Sequence, residues 1–314
     1  MNLTTPIVFE PLYMERVWGG RRLESLYGKN LPGGGPVGES WELVDREEAQ
    51  SVVHSGLLSG KTLHDLWTDY REPIFGARHA ASGPRFPLLF KLLDAEERLS
   101  VQVHPPAEMA PKLKGEPKTE MWFVTAAEPG ADIFAGLKAG TTRAAFEEAL
   151  AKGTVADLLH RIPTKPGDCI FIPSGRVHAI GAGNVIVEVQ QNSDTTYRVF
   201  DWNRTGLDGK PRAMHVAESM CSIDFEDPEP KLQQAGRESL VECEYFRIDH
   251  WALEGAREAV EAGEFAVITC LTGGVECAGE SFGPGEFFLV PATLADRVLK
   301  PLKPGTTVLR TTIP

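Results

Sequence analysis

Between residues 86 and 103 short apolar runs alternate with polar breaks. Phe86 to Leu93 and Leu99 to Val103 read as strands, split by the polar turn Asp94-Ala95-Glu96-Glu97. Met121 to Thr125, Ile170 to Ile172, Val185 to Val189 and Tyr197 to Phe200 repeat the pattern, each a few β-branched or aromatic residues long. Helical spacing is confined to two insertions. In the first, about 59–76, Leu63, Leu66, Trp67 and Tyr70 share a face behind the capping residue Thr62. In the second, 141–161, Ala145, Phe146 and Leu150 are interrupted at Gly153. Val155, Leu158 and Leu159 then resume as a short helix that stops before Pro163. The pattern predicts a mainly β chain.

A weak internal repeat divides it. Glu120-Met-Trp-Phe-Val-Thr125 with Gly167-to-Pro173 is echoed by Glu264-Phe-Ala-Val-Ile-Thr269 with Gly285-to-Pro291. Stretch 141–161 falls between the two halves of the first copy. The acidic, proline-broken FEDPEP, 225–230, reads as a surface connection, so the expected units are 1–238 and 239–314. In the second unit Phe265, Val267, Ile268, Phe287, Phe288 and Val290 form an apolar set expected to pack against the first.

Composition narrows the function. With 31 Gly and 23 Pro in 314 residues and 42% hydrophobic content, the chain is rich in tight turns yet able to fold. A net charge of −12 excludes neither enzymes nor small-molecule binders but argues against nucleic acid and anionic membranes as partners. Five cysteines without a CxxC pair fit a reducing compartment. With neither an apolar signal core nor a spanning run, the expected location is the cytoplasm.

Candidate chemistry sits in three places. On a strand, Ser100, Gln102 and His104 point to one side while Val101 and Val103 point to the other. Such a polar row either faces solvent or lines a cleft that uses it. The stretch Gly167 to His178 has the spacing G-x5-P-x-G-x2-H, the second signature of cupin barrels, where the histidine completes a metal site. The alternative for His178 is a core histidine bonded to backbone. Glu120 heads an apolar strand, where a surface carboxylate is the commonest fate. Two imidazoles and a carboxylate suit Zn²⁺ with a position left for water or substrate, and Gln102 would be a weaker fourth ligand. Lys118, two residues before Glu120, would share its face, and a lysine at a metal site with a lowered pKa would serve as base or proton donor.

LSVQVHP, KTEMW, IPSGRVHAIG and YRVFDWNR, in that order, resemble the type I mannose-6-phosphate isomerase family, most of all its shorter bacterial form. ERVWGG, GESWELVD and PLLFKLLDAEERLS extend the resemblance to roughly residues 10–300. It implies a cupin (jelly-roll, double-stranded β-helix) barrel with a second, degenerate cupin-like unit. The implied activity is interconversion of mannose 6-phosphate and fructose 6-phosphate, with one zinc per chain. Gln102, His104, Glu120 and His178 match the family's metal ligands and Arg198 its catalytic arginine. Glu188 and Asp194 match polar pocket positions and are alternative bases; Ser100 joins them as substrate-facing. A phosphorylated sugar as partner requires local positive charge, for which Lys91, Lys112, Lys114, Arg176 and Arg198 are candidates. Two features depart from the family and cupin patterns: Ala182 stands where cupins often carry Asn, and Asp296 takes the place of His178 in the second copy. The competing reading is a non-catalytic, metal-containing cupin that binds a sugar or sugar phosphate.

Overall fold

The computed structural model describes residues 3–233 and 236–314. Its strand ladders are antiparallel and form two double layers. The first pairs a six-stranded sheet, in the order Leu12–Gly20, Val37–Leu43, Leu88–Ala95, Asn184–Gln191, Glu120–Ala127, Cys169–Ile172, with a five-stranded one, Tyr197–Phe200, Val101–Val103, His178–Ile180, Asp132–Leu137, Leu159–Pro163. Leu93, Trp122 and Ile186 from one sheet interlock with Ile133, Ala135 and Ile180 from the other. The second double layer pairs a five-stranded sheet, Ser239–Glu242, Arg247–Ala252, Thr307–Thr312, Ala266–Thr272, Phe287–Val290, with a four-stranded one. No helix of the described residues is long and apolar enough to cross a membrane.

Both helical insertions form, and their ends show why. Thr62 accepts a hydrogen bond from the Asp65 amide at 3.0 Å while Asp65 accepts from the Thr62 amide at 2.8 Å, a capping box that starts Leu63–Asp69. Thr142 caps Arg143–Lys152, which ends at Gly153 in the left-handed conformation. Beyond Gly153 the expected second helix is only the 3-10 turn Val155–Leu158. Leu159–Pro163 is a strand, because the open edge of Asp132–Leu137 supplies backbone partners. The expected turn at 94–97 also begins later. The strand runs through Ala95, and the Asp94 carboxylate is fully buried on the Arg22 guanidinium at 2.8 Å and the Arg22 amide at 2.7 Å. The FEDPEP connection is stitched to the first unit, since Asp227 takes both forks of Arg176 at 2.6 and 2.7 Å.

The apolar set of the second unit divides by strand alternation. Phe265, Val267 and Phe287 face the first unit, where Phe265 meets Phe75 at 5.2 Å and Phe86 at 6.1 Å. Ile268, Phe288 and Val290 turn inward to the second unit's own core.

Candidate active site

The strand Val101–Val103 is built by two buried β-branched valines and ended by Pro105-Pro106. Alternation turns Ser100, Gln102 and His104 inward. Gln102 lies directly opposite His178 on one neighbouring strand and Arg198 on the other. The loop before His178 is tied to this strand: the Gly175 amide donates to the His104 carbonyl at 2.8 Å, with Gly175 at φ 94°, a conformation that favours glycine. Ser174 Oγ accepts from the Lys118 amide at 2.9 Å, which fixes the head of the Glu120 strand to the same loop.

These ties bring His104, Glu120 and His178 together. All three are buried, and one ligand atom from each lies within 4.8 Å of the others. Glu120 Oε2 is 3.5 Å from His104 Nε2, and Oε1 is 3.4 Å from His178 Nε2. Each imidazole donates its Nδ1 hydrogen to a backbone carbonyl, His104 to Thr195 and His178 to Arg176, both at 2.8 Å. That leaves both Nε2 atoms as acceptors near the carboxylate, and His178 Nε2 also accepts from the Gln102 side-chain amide at 3.2 Å. His104 Nε2 and both Glu120 oxygens have no hydrogen-bond partner although buried. Two imidazole nitrogens and a carboxylate that converge in this way, without hydrogen bonds among the described residues for His104 Nε2 and the Glu120 oxygens, are a donor set that fits a divalent metal. Burial pushes His178 down to about 3 and lowers His104, so both are neutral ligands. Burial would raise the Glu120 carboxyl, but the Lys118 ammonium outweighs it and keeps it ionised.

Above the trio opens a cleft of about 390 Å³ lined by Gln102 and Lys118. Ser100, Glu188, Asp194 and Arg198 line it too, so the candidates for catalysis, metal binding and substrate contact lie in the cleft or in the trio beneath it, whereas the phosphate candidates divide. Arg198 and Phe200 are half-buried between buried Tyr197 and Val199, as alternation predicts. Arg198 donates to Ser100 Oγ at 3.2 Å and to the Ala213 carbonyl at 2.8 Å, with no carboxylate among the described residues in ion-pair contact. Lys118 Nζ is 3.2 Å from Glu120 Oε2. The lowered lysine pKa expected there is reversed. Burial does lower it, but Glu120, Glu188 and Asp194 outweigh burial and raise it, so the protein's own charges keep Lys118 protonated. Of the phosphate candidates, Lys91 and Arg198 line the cleft, whereas Lys112 and Lys114 are exposed away from it and Arg176 is spent on Asp227.

The cleft also contains Arg16, Trp18, Glu39, Thr196, Arg212 and His215, which residue-level reading did not single out. Arg16 and Trp18 alternate within ERVWGG, and Glu39 sits in GESWEL; period two in those motifs was the available signal. Nothing local marks Arg212. Gly38 is needed where it is, because a Cβ there would fall 2.7 Å from the Trp18 ring.

Fold and site define a cupin-fold protein with a buried His-Glu-His cluster whose donor set fits a metal. The family profile described as phosphomannose isomerase type I, catalytic domain, matches residues 7–125. The chain is 38% identical over 306 residues to mannose-6-phosphate isomerase ManA of Bacillus subtilis, covering 93% of this chain and 95% of that protein. It is 36% identical over 276 residues to mannose-6-phosphate isomerase of Streptococcus mutans, covering 84% and 85%. The crystal structure of the mannose 6-phosphate isomerase from Bacillus subtilis superposes with a TM-score of 0.86 at 30% identity, covering 98% of this chain and 100% of that one. The chain belongs to the type I mannose-6-phosphate isomerase family.

Proposed function

We propose that the protein interconverts mannose 6-phosphate and fructose 6-phosphate, with one zinc held by His104, Glu120 and His178 and by Gln102 as a weaker fourth ligand. The observation that carries this is the buried ligand trio beneath a cleft lined by five cations (Arg16, Lys91, Lys118, Arg198, Arg212) and three carboxylates (Glu39, Glu188, Asp194). In a chain of net charge −12, that local excess suits a phosphorylated substrate. The activity named for the relatives supports the same reading.

The reaction moves one proton from C2 to C1 of the open sugar and another from O2 to O1, through an enediolate. A bound divalent ion supplies Lewis-acid polarisation of a sugar oxygen. Glu188 suits proton transfer at carbon. Burial raises its carboxyl, Trp122 Nε1 donates to one oxygen at 2.9 Å, and Lys91 Nζ lies 3.2 Å from the other. Lys118, held protonated, suits proton delivery at oxygen. Arg198 brings a fixed positive charge to the developing enediolate or to the phosphate. Ser100 orients Arg198, and Asp194 contributes a carboxylate to the cleft lining. We assign the chemistry to residues 1–238, a supporting role to 239–314, and a cytoplasmic location, where unpaired thiols such as Cys221 stay reduced.

Purified protein supplied with mannose 6-phosphate should form fructose 6-phosphate, lose that activity to a chelator and regain it with zinc, at about one equivalent of metal. Binding of the sugar phosphate with no turnover in the zinc-loaded protein would favour the non-catalytic reading instead.

A further inference from the structure

Between the strands Asn184–Gln191 and Tyr197–Phe200 the chain makes a short turn, 192–196, that serves both levels of the site. Asp194 lines the cleft, and the Thr195 carbonyl accepts the Nδ1 hydrogen of His104 at 2.8 Å. The Asn192 side-chain amide anchors the start of the turn to the carbonyls of Asp45 at 2.7 Å and Phe86 at 3.0 Å. Its middle is gathered by one buried side chain. Gln190, 0% exposed, donates from its amide nitrogen to the Gln191 carbonyl at 2.8 Å and to the Ser193 carbonyl at 2.6 Å. Ser193 passes the restraint on, because its Oγ accepts from the Thr195 amide at 3.2 Å. By alternation Gln190 shares the inner face with Glu188, and it stands opposite Glu120 on the neighbouring strand.

We propose that Gln190 is a positioning residue for the metal centre: by clamping this turn it holds the Thr195 carbonyl on His104 Nδ1, and so fixes the tautomer that leaves His104 Nε2 an acceptor for the metal. The inference rests on the metal-dependent isomerase reading given above. Two carbonyls at these distances can be met only by the nitrogen end of a glutamine, since its oxygen has no hydrogen to give. Oε1 is thereby turned the other way, and it is buried with no hydrogen-bond partner among the described residues. An acceptor buried unpaired costs stability, so folding alone does not explain the clamp. His104 needs this help more than His178 does. His178 Nδ1 donates to Arg176, two residues away on the same segment, and Arg176 is itself fixed by both oxygens of Asp227. The carbonyl that serves His104 is 91 residues away, on a turn outside the strands, so its place depends on side chains. An imidazole whose Nδ1 loses its acceptor can carry its proton on Nε2 instead, and that tautomer cannot ligate through Nε2.

The test begins with the metal-free protein, where the two imidazoles serve as each other's control. Long-range proton–nitrogen NMR spectra of isotope-labelled histidines should show His104 and His178 both protonated on Nδ1, the signals being assigned by their loss in His104→Gln and His178→Gln. Gln190→Met should move His104 toward a mixture of tautomers and leave His178 as it is. Its zinc dissociation constant, measured by competition with a chelating dye, should rise by about ten- to a hundredfold, the usual cost of losing a group that orients a metal ligand. Unchanged zinc affinity, an unchanged His104 spectrum, or equal disturbance of both imidazoles would overturn the proposal. Should Gln190→Met not fold, Ser193→Ala cuts only the next link. It should shift His104 alone, and a wild-type spectrum there would overturn the proposal equally. Wild-type protein that binds no zinc would sink the metal reading itself, whereas zinc-binding wild type with an unaffected Gln190→Met sinks only this inference.

Discussion

At the same register of the two large sheets, the first unit sets Lys91 opposite Glu188 and the second sets Asp249 opposite Arg310. The frame around these pairs is shared. In each unit the neighbouring strand places a large apolar residue beside the pair, Trp122 in one and Ile268 in the other. Two residues on, Glu120 lies opposite Ile172 where Ala266 lies opposite Val290. The position of Glu120 is therefore an alanine in the second unit. The strand equivalent to the one that His178 opens begins with Val298, and the interior is filled by Ile268, Phe288, Val290 and Leu299. One frame leaves its centre polar and orphaned, while the other packs it with hydrocarbon. The strand ladder tolerates both fillings, so chemistry on this fold depends on a few inward positions.

The largest expected contrast comes from cutting equivalent places. His178→Ala removes a neutral ligand from the buried trio. Zinc should fall well below one equivalent, and turnover should drop by more than the ~10²–10³ that loss of one preorganised donor costs. Asp296→Ala, at the place His178 would occupy by sequence in the second copy, should leave turnover nearly intact, because Asp296 sits exposed in a turn 4.0 Å from Lys300. Full zinc retention in the first variant, or equal loss of turnover in the second, would break the contrast.

Next in size is Arg198→Ala, expected to lower kcat by roughly 10²–10³ with zinc content and thermal midpoint little changed. Lysine should restore only part, since an ammonium lacks the planar two-point contact. Collapse of the fold would instead mark Arg198 as structural.

The charge-reversed pair gives a third test. Arg310→Met leaves Asp249, 2% exposed, with Arg247 at 3.1 Å as its remaining cation. Breaking a buried pair of this kind costs about 3 kcal/mol, so denaturant unfolding should show that loss while kcat stays near wild type. Glu188→Gln, at the equivalent position, should show the reverse emphasis, with kcat falling far more than stability. Matching profiles for the two would mean that the frame, not its filling, decides function.

Period-two patterns and turn residues made most strands and the motifs that carry His104 and His178 legible in the sequence, because those signals are local. What escaped was set by distant partners. Asp94 reads as a turn residue until Arg22, 72 residues away, is brought against it. Leu159–Pro163 reads as helix until the edge of Asp132–Leu137 offers it hydrogen bonds. The repeat aligned Glu120 with Glu264, yet pairing puts Ala266 at that place, while Glu264 sits before the strand on Arg78 at 2.7 Å. A slip of two residues keeps every side chain on its face, so a short motif cannot detect it. Lys118 was legible as a neighbour of Glu120, but the direction of its pKa depends on Glu188 and Asp194, which only the fold brings near.

The smallest effect lies at the seam between the units. His79 is 4% exposed, its ring 5.3 Å from Phe265 of the second unit and 6.3 Å from Trp67 of the first. Arg78 Nε donates to its Nε2 at 3.1 Å, so that nitrogen carries no proton. Burial, then the charges of Arg78 and Arg71, push His79 from 6.5 down to about 4. Between those values the unfolded chain takes up a proton that the folded chain refuses. Stability must therefore rise with pH across that window and be lost as pH falls from about 6.5 to 4, by on the order of 2 kcal/mol. The carboxylate of Glu39 works in a separate, more acidic window, from 4.5 down to about 2, so the two can be told apart. His79→Phe keeps an aromatic ring against Phe265 and removes the titration. Chemical unfolding at a series of pH values should then show a flatter slope between 6.5 and 4 in the variant, with zinc content unchanged. Equal slopes in the variant and the wild type would show that the seam does not hold His79 neutral, and that the two units meet there by apolar packing alone.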